Sequence, residues 1–306
     1  MHNPLDYFVV FLYFAIIIYI GKRASDQVKR ESEYLLATKK LGRFPTALSL
    51  AASDMGGSGL VGTIALVYMV GISGGWWDFL AVPAFIVLGY TLVPALKRLN
   101  IRSVPEFFEK RYCIEIRIIA AVLHLIGLTL IICVQTIVAS IVITTLTGIP
   151  EFYTVLVATA VFLVYTARGG LPAVVWTDVW GYLVFMSSIL ISLPFAIVKA
   201  GGIDNIVATV PHYFWKMSVL GWMEPIAWIA MGFYMYITNQ YFIQRIVAAK
   251  DIKTARFAYF YTGINYLFYG IIVGLLGICI AVIEPWMADP KMAVTIIMGK
   301  VLPTGL

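Results

Sequence analysis

Charge is what this chain has least of: Asp, Glu, Lys and Arg make up 12% of its 306 residues, while 61% are hydrophobic. A soluble domain keeps roughly a quarter of its residues charged, so this balance excludes one and indicates a polytopic membrane protein. Cysteine and histidine are scarce as well. Cys113, Cys133 and Cys279 form no pair motif, and His2, His124 and His212 lie far apart, which argues against a metal site of those ligands. No Gly-rich phosphate loop is present, so ATP-driven transport within the chain is not expected, nor is an enzyme. No polar stretch is long enough for a soluble domain, the longest connectors being about 20 residues. The first apolar segment lacks a basic start and a small-residue cleavage site and ends at Lys22-Arg23, so it reads as a retained helix.

What the chain does have is long apolar runs. Eight windows are predicted to span a bilayer: residues 5–21, 45–71, 76–96, 118–147, 151–167, 171–199, 220–242 and 256–283. Between them, seven basic residues fall in 22–44, including Lys29, Lys39 and Lys40, six in 97–117, one at Arg168 and four in 243–256. The opposite side holds only Lys199, Lys216, Lys291 and Lys300. Basic loops stay cytoplasmic, which predicts a multi-pass protein of the cell membrane with its N-terminus outside. The net charge of +6 reflects this topology, and nucleic acid is not an expected partner.

Asp54 lies in the run Ser53-Asp54-Met55-Gly56-Gly57-Ser58-Gly59. Nine residues in from Pro45, at a rise of about 1.5 Å each, it is about 14 Å deep and close to the middle of the hydrocarbon layer. A carboxylate there is costly and usually faces an ion or substrate path. The three glycines predict a broken helix at Gly56–Gly59, and irregular backbone at that depth survives only where protein or a watery cavity satisfies it. The competing reading is a kinked packing helix with a buried, protonated Asp54.

Asp178, in Trp176-Thr177-Asp178, is the second acid expected inside the membrane, about 10 Å in from Leu171. It suits a cation on its way to the cytoplasm, against the reading of an interfacial acid bonded to a neighbouring hydroxyl. The other fourteen acids fall in loops or at span ends. Gln135, midway along the fourth span, can reach a substrate or bond a neighbouring helix. Gly270 and Gly274 form a small-xxx-small packing pair, and Ser103-Val104-Pro105-Glu106 reads as a capping box opening a short surface helix.

Four segments carry a resemblance: Glu33-Tyr34-Leu35-Leu36-Ala37, the run from Ser103-Val104-Pro105-Glu106 to Tyr112, Gly169-Gly170-Leu171-Pro172 through Asp178, and Asn239-Gln240-Tyr241-Phe242-Ile243-Gln244-Arg245. In order and spacing they resemble the sodium/solute symporter family, and Ala52-Ser53-Asp54-Met55 is most similar to its sodium/proline-type branch. The resemblance implies an all-α, leucine-transporter-type five-plus-five inverted repeat preceded by one extra helix. The whole of 1–306 would be one transporter domain, with a first repeat at about 45–199 and the start of a second at about 220–306. By that count the chain is C-terminally truncated after core helix seven.

The family resemblance also implies sodium held by backbone carbonyls of the broken helix, at Ala52 and Met55 beside Asp54, with Asp178 on the release path. The remaining ligands, hydroxyls of core helix eight, would lie beyond Leu306. A small-molecule solute between core helices one, three and six would meet Gly56, Gly57, Gln135 and Tyr234. The expected function is sodium-coupled symport of a small polar organic solute, of amino acid or organic carboxylate type, by alternating access in the lipid bilayer. The alternatives are a transporter-like sensor or scaffold, and a proton-coupled symporter in which Asp54 is protonated in each cycle.

Overall fold

A computed structural model describes residues 4–26, 28, 30, 33–34, 37 and 41–303. Lys29, Lys39 and Lys40 of the first basic loop, Leu35 and Leu36 of the first resembling segment, and the chain from 304 to Leu306 lie outside the described residues. Apolar runs with no water to satisfy their backbone can only close their hydrogen bonds internally, and the described residues are accordingly helical. Helix α1 spans Pro4–Ser25, α2 Arg43–Asp54, α3 Gly57–Val70, α4 Trp76–Phe79, α5 Ala81–Leu99 and α6 Val104–Arg111. Then follow α7 Ile114–Thr147, α8 Glu151–Lys199, α9 Ile203–Thr209, α10 Met223–Thr238, α11 Gln240–Ala248, α12 Ile252–Ile283 and the single turn α13 Ala293–Ile296.

Five helical stretches among the described residues are long and apolar enough to cross a membrane: Tyr7–Ser25, Gly57–Leu99, Ile114–Thr145, Thr166–Lys199 and Ile252–Ile283. The other predicted spans are shorter or interrupted. Residues 45–71 become α2 and α3, and residues 220–242 become α10 and α11, which part at Asn239 in extended backbone. The fifth span is a shorter apolar helix, Glu151–Val164, that runs on into the sixth. Their junction is Gly170, at φ +55°, where an added Cβ would lie 2.5 Å from the Tyr34 carbonyl oxygen. No L side chain fits there, so glycine lets the Tyr34 backbone close over the kink.

Helix α12 is the centre of the bundle, packed against α2, α3, α5 and α8, while α1 lies along α8. Around it, the fully buried Phe85 ring of α5 meets Tyr236 at 4.3 Å, Tyr259 at 5.3 Å and Tyr266 at 6.0 Å between centroids. Each such ring pair contributes about 0.5–1.5 kcal/mol beyond the area it covers. Gly270 faces Phe79 and Asp78 closely enough that a Cβ would crowd both, whereas Gly274 faces open space. By contrast α7 leaves most of its apolar side chains exposed, among them Leu123, Leu125 and Leu130, so it needs apolar surroundings along much of its length.

The helix ends near the basic loops are tied by polar contacts. Ser103 caps α6 by accepting the Glu106 N–H at 3.3 Å, and the Glu106 carboxylate accepts the Arg102 N–H at 2.7 Å and pairs with Lys110 at 3.2 Å. The Gln240 side chain accepts the Val104 N–H at 2.9 Å. Lys97 of α5 donates to the carbonyls of Val247 at 3.1 Å and Ala249 at 2.5 Å, capping the C-terminus of α11. Leu41 pairs in parallel with Ala249 alongside.

Candidate ion and solute site

Helix α2 stops one residue short of the glycines. Met55 leaves helical geometry (φ −76°, ψ 83°), Gly56 is extended (φ −111°, ψ 172°), and α3 restarts at Gly57. The break is therefore at Met55–Gly56, and Gly57 and Gly59 lie within α3 rather than in the gap the sequence predicts. Gly56 is where α7 comes close: a Cβ there would lie 2.6 Å from Gln135 Nε2, and Gln135 Oε1 accepts the Ser58 N–H at 3.3 Å. Gln135 thus bonds the neighbouring helix beside the break, and Gly57 faces Val138 one turn further along α7.

The break changes the hydrogen bonding at the end of α2. The Ala51 carbonyl is taken by the Met55 N–H and the Asp54 carbonyl by the Gly56 N–H. Among the described residues, the carbonyls of Ala52, Ser53 and Met55 have no such donor. A helix terminus leaves its last carbonyls to be met by water, side chains or a ligand. The half-buried Asp54 carboxyl stands beside them, accepting the Tyr266 hydroxyl at 2.8 Å with Tyr236 close by, and Asn265 donates to the Met55 sulfur at 3.0 Å. Carbonyl and carboxylate oxygens are the donor set of a hard cation.

One expected solute contact lies elsewhere, and Asp178, expected on a release path, stands apart from the break. Tyr234 is 70% exposed on the outer face of α10, and the aromatic side chain that reaches the break from this helix is Tyr236, 2% exposed. Asp178 is on the other side of α2, in a buried network. Its Oδ2 accepts Ser49 Oγ at 2.6 Å and Arg245 Nη2 at 2.8 Å, while Arg245 also donates to Ser49 Oγ at 3.2 Å and to the Tyr241 carbonyl at 3.2 Å.

The sequence also missed one acid. Asp78, at a predicted span end, is 3% exposed. The Gly71–Gly75 stretch folds as a tight 3₁₀ turn that carries α4 inward, and Ser73 fastens it by donating to the Met217 carbonyl at 3.1 Å. Asp78 Oδ2 has no hydrogen-bond partner, nor have the buried hydroxyls of Thr63, which lies beside it, and Tyr269. Asp78 lies near Asp54, and none of the four ion pairs among the described residues involves either carboxyl. Three glycines in five residues, Gly71, Gly74 and Gly75, were the one available signal, since they permit a turn to pack inside rather than mark a boundary.

A sequence model of the sodium:solute symporter family matches residues 34–305. The sodium/glucose cotransporter of Vibrio parahaemolyticus is 28% identical over 99% of this chain and 59% of its own length. The osmoregulated proline transporter OpuE of Bacillus subtilis (strain 168) is 28% identical over 95% of this chain and 62% of its own. The chain thus spans about three fifths of these relatives, which are transporters rather than enzymes. The fold resembles that of a Na+-coupled sialic acid symporter solved in a substrate-bound, outward-open state, with a TM-score of 0.88 at 18% identity, over 99% of this chain and 68% of that one. That likeness establishes the leucine-transporter-type fold.

Proposed function

The chain belongs to the sodium:solute symporter family, and from that premise we propose that it carries the binding centre of a secondary active symporter in which a sodium gradient drives uptake of a small polar organic solute. The observation that supports this most is the end of α2, where the carbonyls of Ala52 and Met55 are without donors beside the Asp54 carboxyl. An unwound helix at membrane depth frees carbonyls for a monovalent cation, and the carboxylate lowers the cost of dehydrating it. Gly56, Gly57 and Gln135 line the gap in front of it, with Asp78, Thr63 and Tyr269 offering further polar groups to a solute. Tyr234 contributes nothing from its outward position; Tyr236 takes the place assigned to it.

Asp178 stands on the inward side of α2, where we place ion release. Its charge is already matched by Arg245, so it holds a passing ion only weakly, which suits release better than capture. The two inverted repeats, at about 45–199 and from about 220, and the cell-membrane orientation with basic loops inside belong to the same proposal. The test is uptake by the full chain against sodium concentration at several pH values, for the parent and for Asp54→Asn. Removing the charge should weaken sodium activation by about tenfold or more. Unchanged activation would remove Asp54 from the site, and uptake that follows pH without sodium would replace sodium by protons.

A further inference from the structure

At the opposite end of α2 from the break, a groove of about 380 Å³ opens between the starts of α2 and α12 and the inner half of α5. Its rim carries Arg43, Lys253 and Arg256, and its floor includes Ile86, Tyr90 and Phe260. None of the three cations is in an ion pair among the described residues. The Arg256 guanidinium lies 5.7 Å from the centre of the Tyr90 ring. Asp251, which is near Arg43, has its carboxylate engaged as the N-cap of α12, accepting the Thr254 N–H at 2.7 Å. Three positive charges therefore converge on one recess against a single nearby carboxylate, that of Asp251.

Depth decides what kind of anion fits. Arg43 opens α2 and Lys253 is the second residue of α12, whereas Tyr90 and Ile86 lie nine and thirteen residues inside the end of α5. On α12 the lining runs from Lys253 to Phe260, so at about 1.5 Å per residue the groove reaches about 10 Å inward from the start of that helix. A soluble anion would neutralise the rim and leave the aromatic floor uncovered. A lipid tail alone would leave the rim uncompensated. We propose that this groove binds an anionic phospholipid, its phosphate between Arg43, Lys253 and Arg256 and one acyl chain along Ile86, Tyr90 and Phe260. The leaflet is the inner one, which rests on the membrane orientation proposed above. Because α2 ends at Asp54 and α12 carries Tyr266, the lipid would tie together the two helices that meet at the break.

Native mass spectrometry of the full chain, released from nanodiscs of defined composition, tests the site. Phosphatidylglycerol should remain bound about tenfold more than phosphatidylcholine, and glycerophosphate, which has no tails, should not bind. Neutralising Arg43, Lys253 and Arg256 to Gln should lower phosphatidylglycerol retention by about tenfold or more. Neutralising Lys110, Arg111 and Arg117 to Gln removes the same charge elsewhere and should leave retention intact. Equal loss in both triple variants, equal retention of phosphatidylcholine, or binding of glycerophosphate would each overturn the proposal. A cysteine placed at Lys250 and labelled by an impermeant reagent from outside intact cells would overturn the orientation while leaving the groove as a lipid site.

Discussion

Asp178 and Asp54 are set against the same short helix, yet one is matched by the chain and the other is not. Asp178 has the guanidinium of Arg245 and the hydroxyl of Ser49, so its charge is compensated before any ion arrives. Asp54 meets the Tyr266 hydroxyl, and Asp78 nearby is in no ion pair among the described residues and has only the Thr63 hydroxyl beside it. A buried charge is tolerated when paired and costly when not. The paired acid is therefore compensated within the fold, while the other two keep a demand for charge or hydrogen bonds, and the proposed ion and solute site rests on that demand.

The largest effect should come from unbalancing the matched pair. Arg245→Gln alone, or Asp178→Asn alone, leaves one uncompensated charge between α2, α8 and α11 and should lower stability by about 3–5 kcal/mol. The double variant should recover most of that, which thermal melts of all four proteins in detergent would show as a large coupling energy. Purely additive losses would mean the pair is not the compensating unit.

Asp78→Asn should behave in the opposite way. Replacing a buried carboxyl that is in no ion pair among the described residues should leave the melting temperature unchanged or raised, while solute uptake falls several-fold, read as a higher half-saturation concentration. A marked loss of stability would make Asp78 structural. The smallest effect belongs to the short surface helix α6. Burial would raise the Glu106 pKa, but the Arg102 N–H and Lys110 outweigh it and hold the group below the usual carboxylate range. Its contribution to α6 is therefore present above that range and fades as pH falls through the lowered pKa. Hydrogen-exchange protection across Val104–Arg111, corrected for the intrinsic rate at each pH, should fall on acidification in the parent and not in Glu106→Gln.

The membrane class, the break near Gly56 and the cap of α6 were legible because each is a local matter of composition or of adjacent residues. The pairing of Asp178 with Arg245 was not, since 67 residues separate them and only the meeting of α8 with α11 across α2 joins them. The choice between Tyr234 and Tyr236 failed for another reason. In a membrane helix both the core face and the outer face are apolar, so hydropathy does not say which way a side chain points. Asp78 was hidden because a glycine-rich stretch reads as the end of a span whether it turns outward or folds inward.

The lysine that caps α11 has a mechanical meaning. Lys97 grips two carbonyls of α11 from α5, Gln240 holds the α6 entry, and Leu41 bonds both sides of Ala249 through the Ala248 carbonyl and the Lys250 N–H. Any swing that opened the inner end of the α10–α11 segment would have to tear these contacts together or carry α5 with it. The extended backbone at Asn239 is then the place where such a swing would bend, with Leu41 and Lys97 carried along by α11.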